Sequence, residues 1–118
     1  MGKFGATLAT AALLALAGCN AAPAPLTEAQ SAALTPATPR LAALYAGSCK
    51  SCHTVRASTA PLAGDHSAWD PRWAKGEDAL LQSAIAGHGA MPAGGQCFAC
   101  SPADLKALIA FMAARGPG

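Results

Sequence analysis

Apolar and polar positions divide the chain into three stretches. Residues 4–17 form an almost uninterrupted apolar run behind a single cation, Lys3. Residues 20–38 show no sustained apolar period and carry Pro23, Pro25 and Pro36. A helical period then sets in: Thr38 can cap, Pro39 suits the first helical position, and Leu41, Leu44 and Tyr45 share one face, so a helix is expected to deliver Cys49. Further on, Gly76, Glu77 and Asp78 place acids at a helix start, with Leu80, Leu81, Ala84 and Ile85 as its buried stripe before Gly87 ends it. Ser101, Pro102, Ala103 and Asp104 form a capping start for a last helix with Leu105, Leu108, Ile109 and Met112 on one face. Trp69 and Trp73 flank Pro71 in a short helix between them, where core packing is the ordinary role of both indoles. The pattern predicts an all-α fold.

Composition changes this picture in one respect. Of the 118 residues 53% are hydrophobic, but 32 are alanine, which buries little area. The stock of large apolar side chains is thin, and a domain of this size commonly needs disulfides, metals or a cofactor to supplement its core. Net charge is +2 with scattered cations, which excludes the basic stripe that nucleic-acid binding requires.

Residues 1–18 have the layout of a secretory signal, and about 14 apolar residues fall short of a membrane span. The run ends in Leu16, Ala17, Gly18 and Cys19, which resembles the lipobox of bacterial lipoproteins, in which the cysteine is lipidated. Ordinary cleavage after the small residues Ala15 and Ala17 is the alternative and would leave Cys19 a free thiol near the new terminus. Residues 19–38 read as an Ala/Pro-rich tether with a root-mean-square reach of about 25 Å, and residues 39–118 as one folded domain. The lipidated form would sit on the periplasmic side of a bacterial membrane; the other would be soluble in the periplasm.

The decisive motif is Cys49, Lys50, Ser51, Cys52, His53, the C-x-x-C-H of c-type haem attachment. Thiols three positions apart can reach the two vinyl groups of one porphyrin, and the adjacent imidazole then lies beneath the iron. Two other readings compete. A thioredoxin-like redox pair belongs at a strand-to-helix junction, and no strand run lies near. A four-thiolate zinc site could be built with Cys97 and Cys100, but 44 residues separate the pairs, against roughly 15–20 in such ribbons, and export disfavours free thiolates. A second axial ligand for the iron could be His66, His88, Met91 or Met112. Met112 falls at core spacing in the last helix, whereas Met91 lies in a stretch with Gly87, Gly89, Gly94 and Gly95 that can bring a thioether close to a flat ring. Met91 is the better candidate.

With those residues in place the sequence resembles cytochrome c5, a branch of the small class I cytochromes c. The marks are the Cys49 to His53 motif, Ala60-Pro61 with Gly64-Asp65, Trp69 with Pro71-Arg72, Gly76, Met91-Pro92, Gly94-Gly95, the Cys97/Cys100 pair, and Ser101 opening the last helix. The resemblance implies a class I cytochrome c fold of about four short helices around one covalently bound haem c. It implies Met91 as distal ligand, the Pro61 carbonyl as acceptor of the His53 Nδ1 proton, and a disulfide between Cys97 and Cys100. It places Tyr45 and Phe111 at the contact between first and last helices. One departure is that Ala42 and Ala43 stand where the wider class has a glycine at that crossing.

The expected function is single-electron transport, not catalysis, between membrane respiratory complexes or to a periplasmic reductase or oxidase. The alternative is a haem sensor or weak peroxidase in which Met91 leaves the iron open. Trp69 or Arg72 is a candidate to meet a haem propionate.

Overall fold

The computed structural model describes residues 1–2 and 24–118. Within them the chain is helical and forms no strand. The helices are α1 (Glu28–Ala33), α2 (Pro39–Ala46), α3 (Lys50–His53), α4 (His66–Trp73), α5 (Glu77–Ala86) and α6 (Pro102–Met112), with 3-10 turns at Arg56–Ser58 and Ala93–Gln96. The all-α expectation stands, and the two helices beyond the expected four are the shortest, α1 and α3.

The centre is built on α6. Leu105, Leu108, Ile109 and Met112 are buried, as their spacing predicts, and Phe111 is buried with them. Ser101 accepts from the Asp104 N–H while the Asp104 carboxylate accepts from the Ser101 N–H, so both ends of the capping box are closed. Helix α2 lies against α6 through an edge-to-face contact of Tyr45 and Phe111, ring centroids 5.0 Å apart at 78°. Arg40 joins the same pair of helices by an ion pair to Asp104 at 2.8 Å.

Several local expectations are corrected. Thr38 stands at the N-cap of α2, with Pro39 at the first helical position as expected, but makes no side-chain cap bond. The helix stops at Gly47, so Cys49 does not ride on α2; it opens the separate turn α3. In α5 Ala84 is buried, but Ile85, expected in the same buried stripe, is 39% exposed.

The largest correction concerns the tether. Residues 24–38 do not run free: Thr27 and Gln30 form a reciprocal capping box on α1, Ser31 is fully buried, and Leu34 packs against the core. Alanine and proline set the composition of this stretch and make it read as a tether, while a few side chains, among them Glu28, Ser31 and Leu34, dock it on the domain. Residues 3–23, with most of the expected signal and Cys19, lie outside the described residues.

Candidate functional site

Helix α3 is one turn long and is held by its own small polar side chains. Ser48 Oγ donates to the Leu44 carbonyl at 2.6 Å, Ser51 Oγ to Ser48 at 2.9 Å, and Thr54 Oγ1 to Lys50 at 2.8 Å. These bonds fix the turn on which Cys49 and Cys52, three positions apart, share a face. Both cysteines are unbridged; Cys49 is half-buried, which pushes its thiol up from the ordinary value, and Cys52 is exposed.

His53 closes the turn and is buried. Its Nδ1 lies 2.8 Å from the Pro61 carbonyl, which can only accept, so Nδ1 carries the proton and Nε2 keeps a lone pair. Burial holds the imidazole below its ordinary pKa; the Pro61 carbonyl opposes this shift and Arg72 adds to it. The ring is therefore neutral and has one nitrogen left to ligate. The loop after it is pinned twice, by Ala63 N–H on the His53 carbonyl and by Gly64 N–H on the Met112 carbonyl, each at 2.7 Å.

Facing this wall is the loop after α5. His88 and Met91 exchange backbone hydrogen bonds of 3.0 and 2.9 Å across Gly89 and Ala90, a two-residue turn that brings Met91 back over the site. Two glycines make this possible. Gly87 has φ +87°, and a Cβ there would stand 3.1 Å from Met91 O and Ala93 N; at Gly95 a Cβ would stand 3.1 Å from Met91 Cε. Beyond it Cys97 and Cys100 are joined by a disulfide, with Cα atoms 5.3 Å apart.

Between the two walls is a cavity of about 720 Å³, inside the range of cofactor sites. Cys49, Cys52, His53, Pro61 and Met91 all line it, with Leu80, Ala84, Ile109 and Met112 as an apolar body and Arg72 and Lys75 as cations. Two thiols, a neutral imidazole, a thioether and an apolar slot are a donor set that could hold an iron porphyrin, with the cations available to its carboxylates.

The remaining sequence candidates divide. His66 is on the surface, 3.2 Å from Asp70, and does not reach the cavity. His88 does line it, as does Met112, which is also a core residue. Trp69 and Arg72 both line the cavity; Trp69 donates its Nε1–H to the Leu62 carbonyl at 2.9 Å and packs its indole on His53. Cys97 and Cys100 are bonded to each other, and no group of three or more His, Cys, Asp or Glu placed to hold a metal occurs among the described residues, so the four-thiolate site is not assembled. Sequence reasoning did not find Lys75 or Ser31. Lys75 offers no pattern to read, whereas Ser31 sits behind the legible Thr27-x-x-Gln30 cap.

Residues 36–112 match the family described as cytochrome C oxidase, cbb3-type, subunit III. Cytochrome c5 of Azotobacter vinelandii is 44% identical over 66 residues, covering 54% of this chain and 80% of the relative. The chain belongs to the cytochrome c5 family. Like others of this family it is a monohaem electron carrier, with haem c as its covalent cofactor. Cytochrome c-555 of Chlorobaculum tepidum is 36% identical over 74 residues, covering 59% of this chain and 68% of that one. A solved chain from an electron transfer complex of nitrite reductase with cytochrome c superposes with a TM-score of 0.59 at 40% identity, over 66% of this chain and 95% of that one. The fold is thus the class I all-α cytochrome c fold that the resemblance implies, in agreement with the all-α expectation from the helical pattern.

Proposed function

We propose that Cys49 and Cys52 carry the haem as thioethers, that His53 and Met91 are its axial ligands, and that the protein relays single electrons without acting as an enzyme. When bound, the haem supplies one-electron Fe(II)/Fe(III) chemistry, and ligation by His and Met raises its potential. The observation that carries this reading is that the thiols of Cys49 and Cys52, a neutral imidazole with only Nε2 to give, and a thioether line one slot.

The chain's own groups each have a task. Pro61 holds the Nδ1 proton and sets the plane of His53. Met91, brought in by its glycine-rich loop, closes the second face and keeps water and small ligands out. Arg72 and Lys75 line the slot and can balance the carboxylates of the cofactor. The Cys97–Cys100 bridge closes too small a loop to contribute much chain entropy; we assign it to stiffening the segment that follows Met91.

The redox partners we propose are membrane respiratory complexes or a periplasmic reductase or oxidase; the solved cytochrome c seen with nitrite reductase supports a partner of the second kind. Among the described residues no helix is long and apolar enough to cross a membrane. The lipobox supports lipidation of Cys19 after removal of residues 1–18, which would place the carrier on the periplasmic face of a bacterial membrane.

The test is a visible spectrum in both redox states with pyridine haemochrome analysis, on protein matured with the host's attachment machinery. One thioether-linked haem per chain, a weak methionine-to-iron band at the red end and resistance of the reduced form to carbon monoxide are expected. A colourless protein would overturn the reading, and prompt carbon monoxide binding would favour the open-site sensor or peroxidase.

A further inference from the structure

The family likeness begins at residue 36, yet the segment before it is built into the domain. A six-residue helix has no stability of its own in water, so α1 is ordered by what it docks on. It docks on the loop that carries His53. The Glu28 carboxylate accepts from the Arg56 N–H, the Leu26 carbonyl from the Arg56 guanidinium, and Leu34 lies over Gly64. In the middle of this strap Ser31 is wholly excluded from solvent. Its Oγ stands 2.8 Å from the Ala63 carbonyl and 3.2 Å from that of His53.

These two carbonyls bracket the proximal loop. The His53 carbonyl already accepts from Ala63 N–H, and between them the Pro61 carbonyl receives the His53 ring proton. One hydroxyl therefore reaches both ends of the loop that carries the Pro61 carbonyl, beside the direct Ala63 to His53 bond. Neither Ser31 nor any other strap residue lines the cavity. The effect of Ser31 on the cofactor is therefore indirect, and the cavity residue its hydroxyl bonds is His53, through the backbone carbonyl.

We propose that Ser31 is a positioning residue for His53: from outside the family domain its hydroxyl locks the loop whose Pro61 carbonyl orients the ligating imidazole. This rests on His53 being the haem ligand. A firmly held Nδ1–H bond makes the opposite nitrogen a more basic ligand, which favours the oxidised state. Loosening that bond raises the midpoint potential.

The experiment uses the full haem-loaded chain and two readouts, the solvent exchange rate of the His53 Nδ1–H in the reduced protein by NMR and the midpoint potential. Ser31→Ala is expected to speed ring-proton exchange at least tenfold and to raise the potential. Ser31→Cys, close in volume but a weaker donor, falls between it and the wild type. Thr27→Ala, which removes the α1 cap and leaves the Ser31 hydroxyl in place, moves neither readout. Wild-type exchange and potential in Ser31→Ala would overturn the proposal, as would the same shifts in Thr27→Ala, which would trace them to strap stability alone. If Ser31→Ala does not fold, wild-type values in Ser31→Cys overturn it equally. Pyridine haemochrome analysis of each sample separates the levels: absence of haem removes the carrier reading and this one with it, while full haem content with unmoved exchange removes only the role of Ser31.

Discussion

The indole of Trp69 packs against the imidazole of His53, ring centroids 5.8 Å apart and planes 30° from parallel, while its Nε1–H is held by the Leu62 carbonyl at 2.9 Å. The same loop that orients the ligating ring thus also anchors the ring that backs it. Trp69→Phe keeps an aromatic surface but drops the bond. It is expected to lower unfolding free energy in denaturant titrations by roughly 1–2 kcal/mol, against about 3–5 kcal/mol for Trp69→Ala.

Met91 and His88 line one cavity and are bonded through their backbones, so replacing each in turn decides which one serves the iron. Met91→Ala should abolish the red-end band, lower the potential and admit carbon monoxide to the reduced protein. His88→Ala should leave all three as they are. The reverse outcome would reassign the ligand.

Tyr45 carries a buried hydroxyl that has no hydrogen-bond partner among the described residues. Burial, with a smaller contribution from a charged Cys49 thiolate, pushes its phenol from the ordinary 10.0 up to about 12. Once Cys49 is a thioether, burial alone remains. A folded pKa above the unfolded one favours the neutral form, so this stability is whole below pH 10 and is lost as pH rises towards about 12. Tyr45→Phe is expected to cost little or nothing at neutral pH and to flatten the alkaline limb of a plot of melting temperature against pH.

Asp104 shows the opposite sign. The Arg40 guanidinium, with Ser101 behind it, holds its carboxyl down at about 2 against an ordinary 3.8. Its contribution is present above pH 3.8 and disappears as pH falls through about 2. Asp104→Asn should lower the melting temperature at pH 7 and reduce the slope between pH 4 and 2, because the ion pair that ties α2 to α6 is already gone.

Much of this was legible without coordinates, and for identifiable reasons. The α6 face could be read because Leu105, Leu108, Ile109 and Met112 repeat at helical spacing and Ser101 and Asp104 mark its start. The cavity residues could be read because Cys49, Cys52 and His53 are adjacent in sequence, so one turn of helix brings them together. What could not be read depends on contacts across long separations. Ser31 meets Ala63 thirty-two positions away, and no periodicity announces it. The bond from Trp69 to the Leu62 carbonyl turns on the path of a loop seven residues upstream. Ile85 obeys its period yet is exposed among the described residues, which periodicity alone does not foretell.

The docked strap also moves the edge of the cooperative unit. A polypeptide begun at residue 36, where likeness to relatives starts, would leave the Ala63 carbonyl without its donor and the groove over Gly64 bare. Retaining residues from 26 onward should give a sharper thermal transition and a higher melting temperature than that truncated form. By the same token, were Cys19 acylated, only residues 20–25 would separate lipid from folded protein, a leash of about 21 Å at full stretch. Such a carrier would meet its partners by gliding in the plane of the membrane, with little freedom to swing away from it.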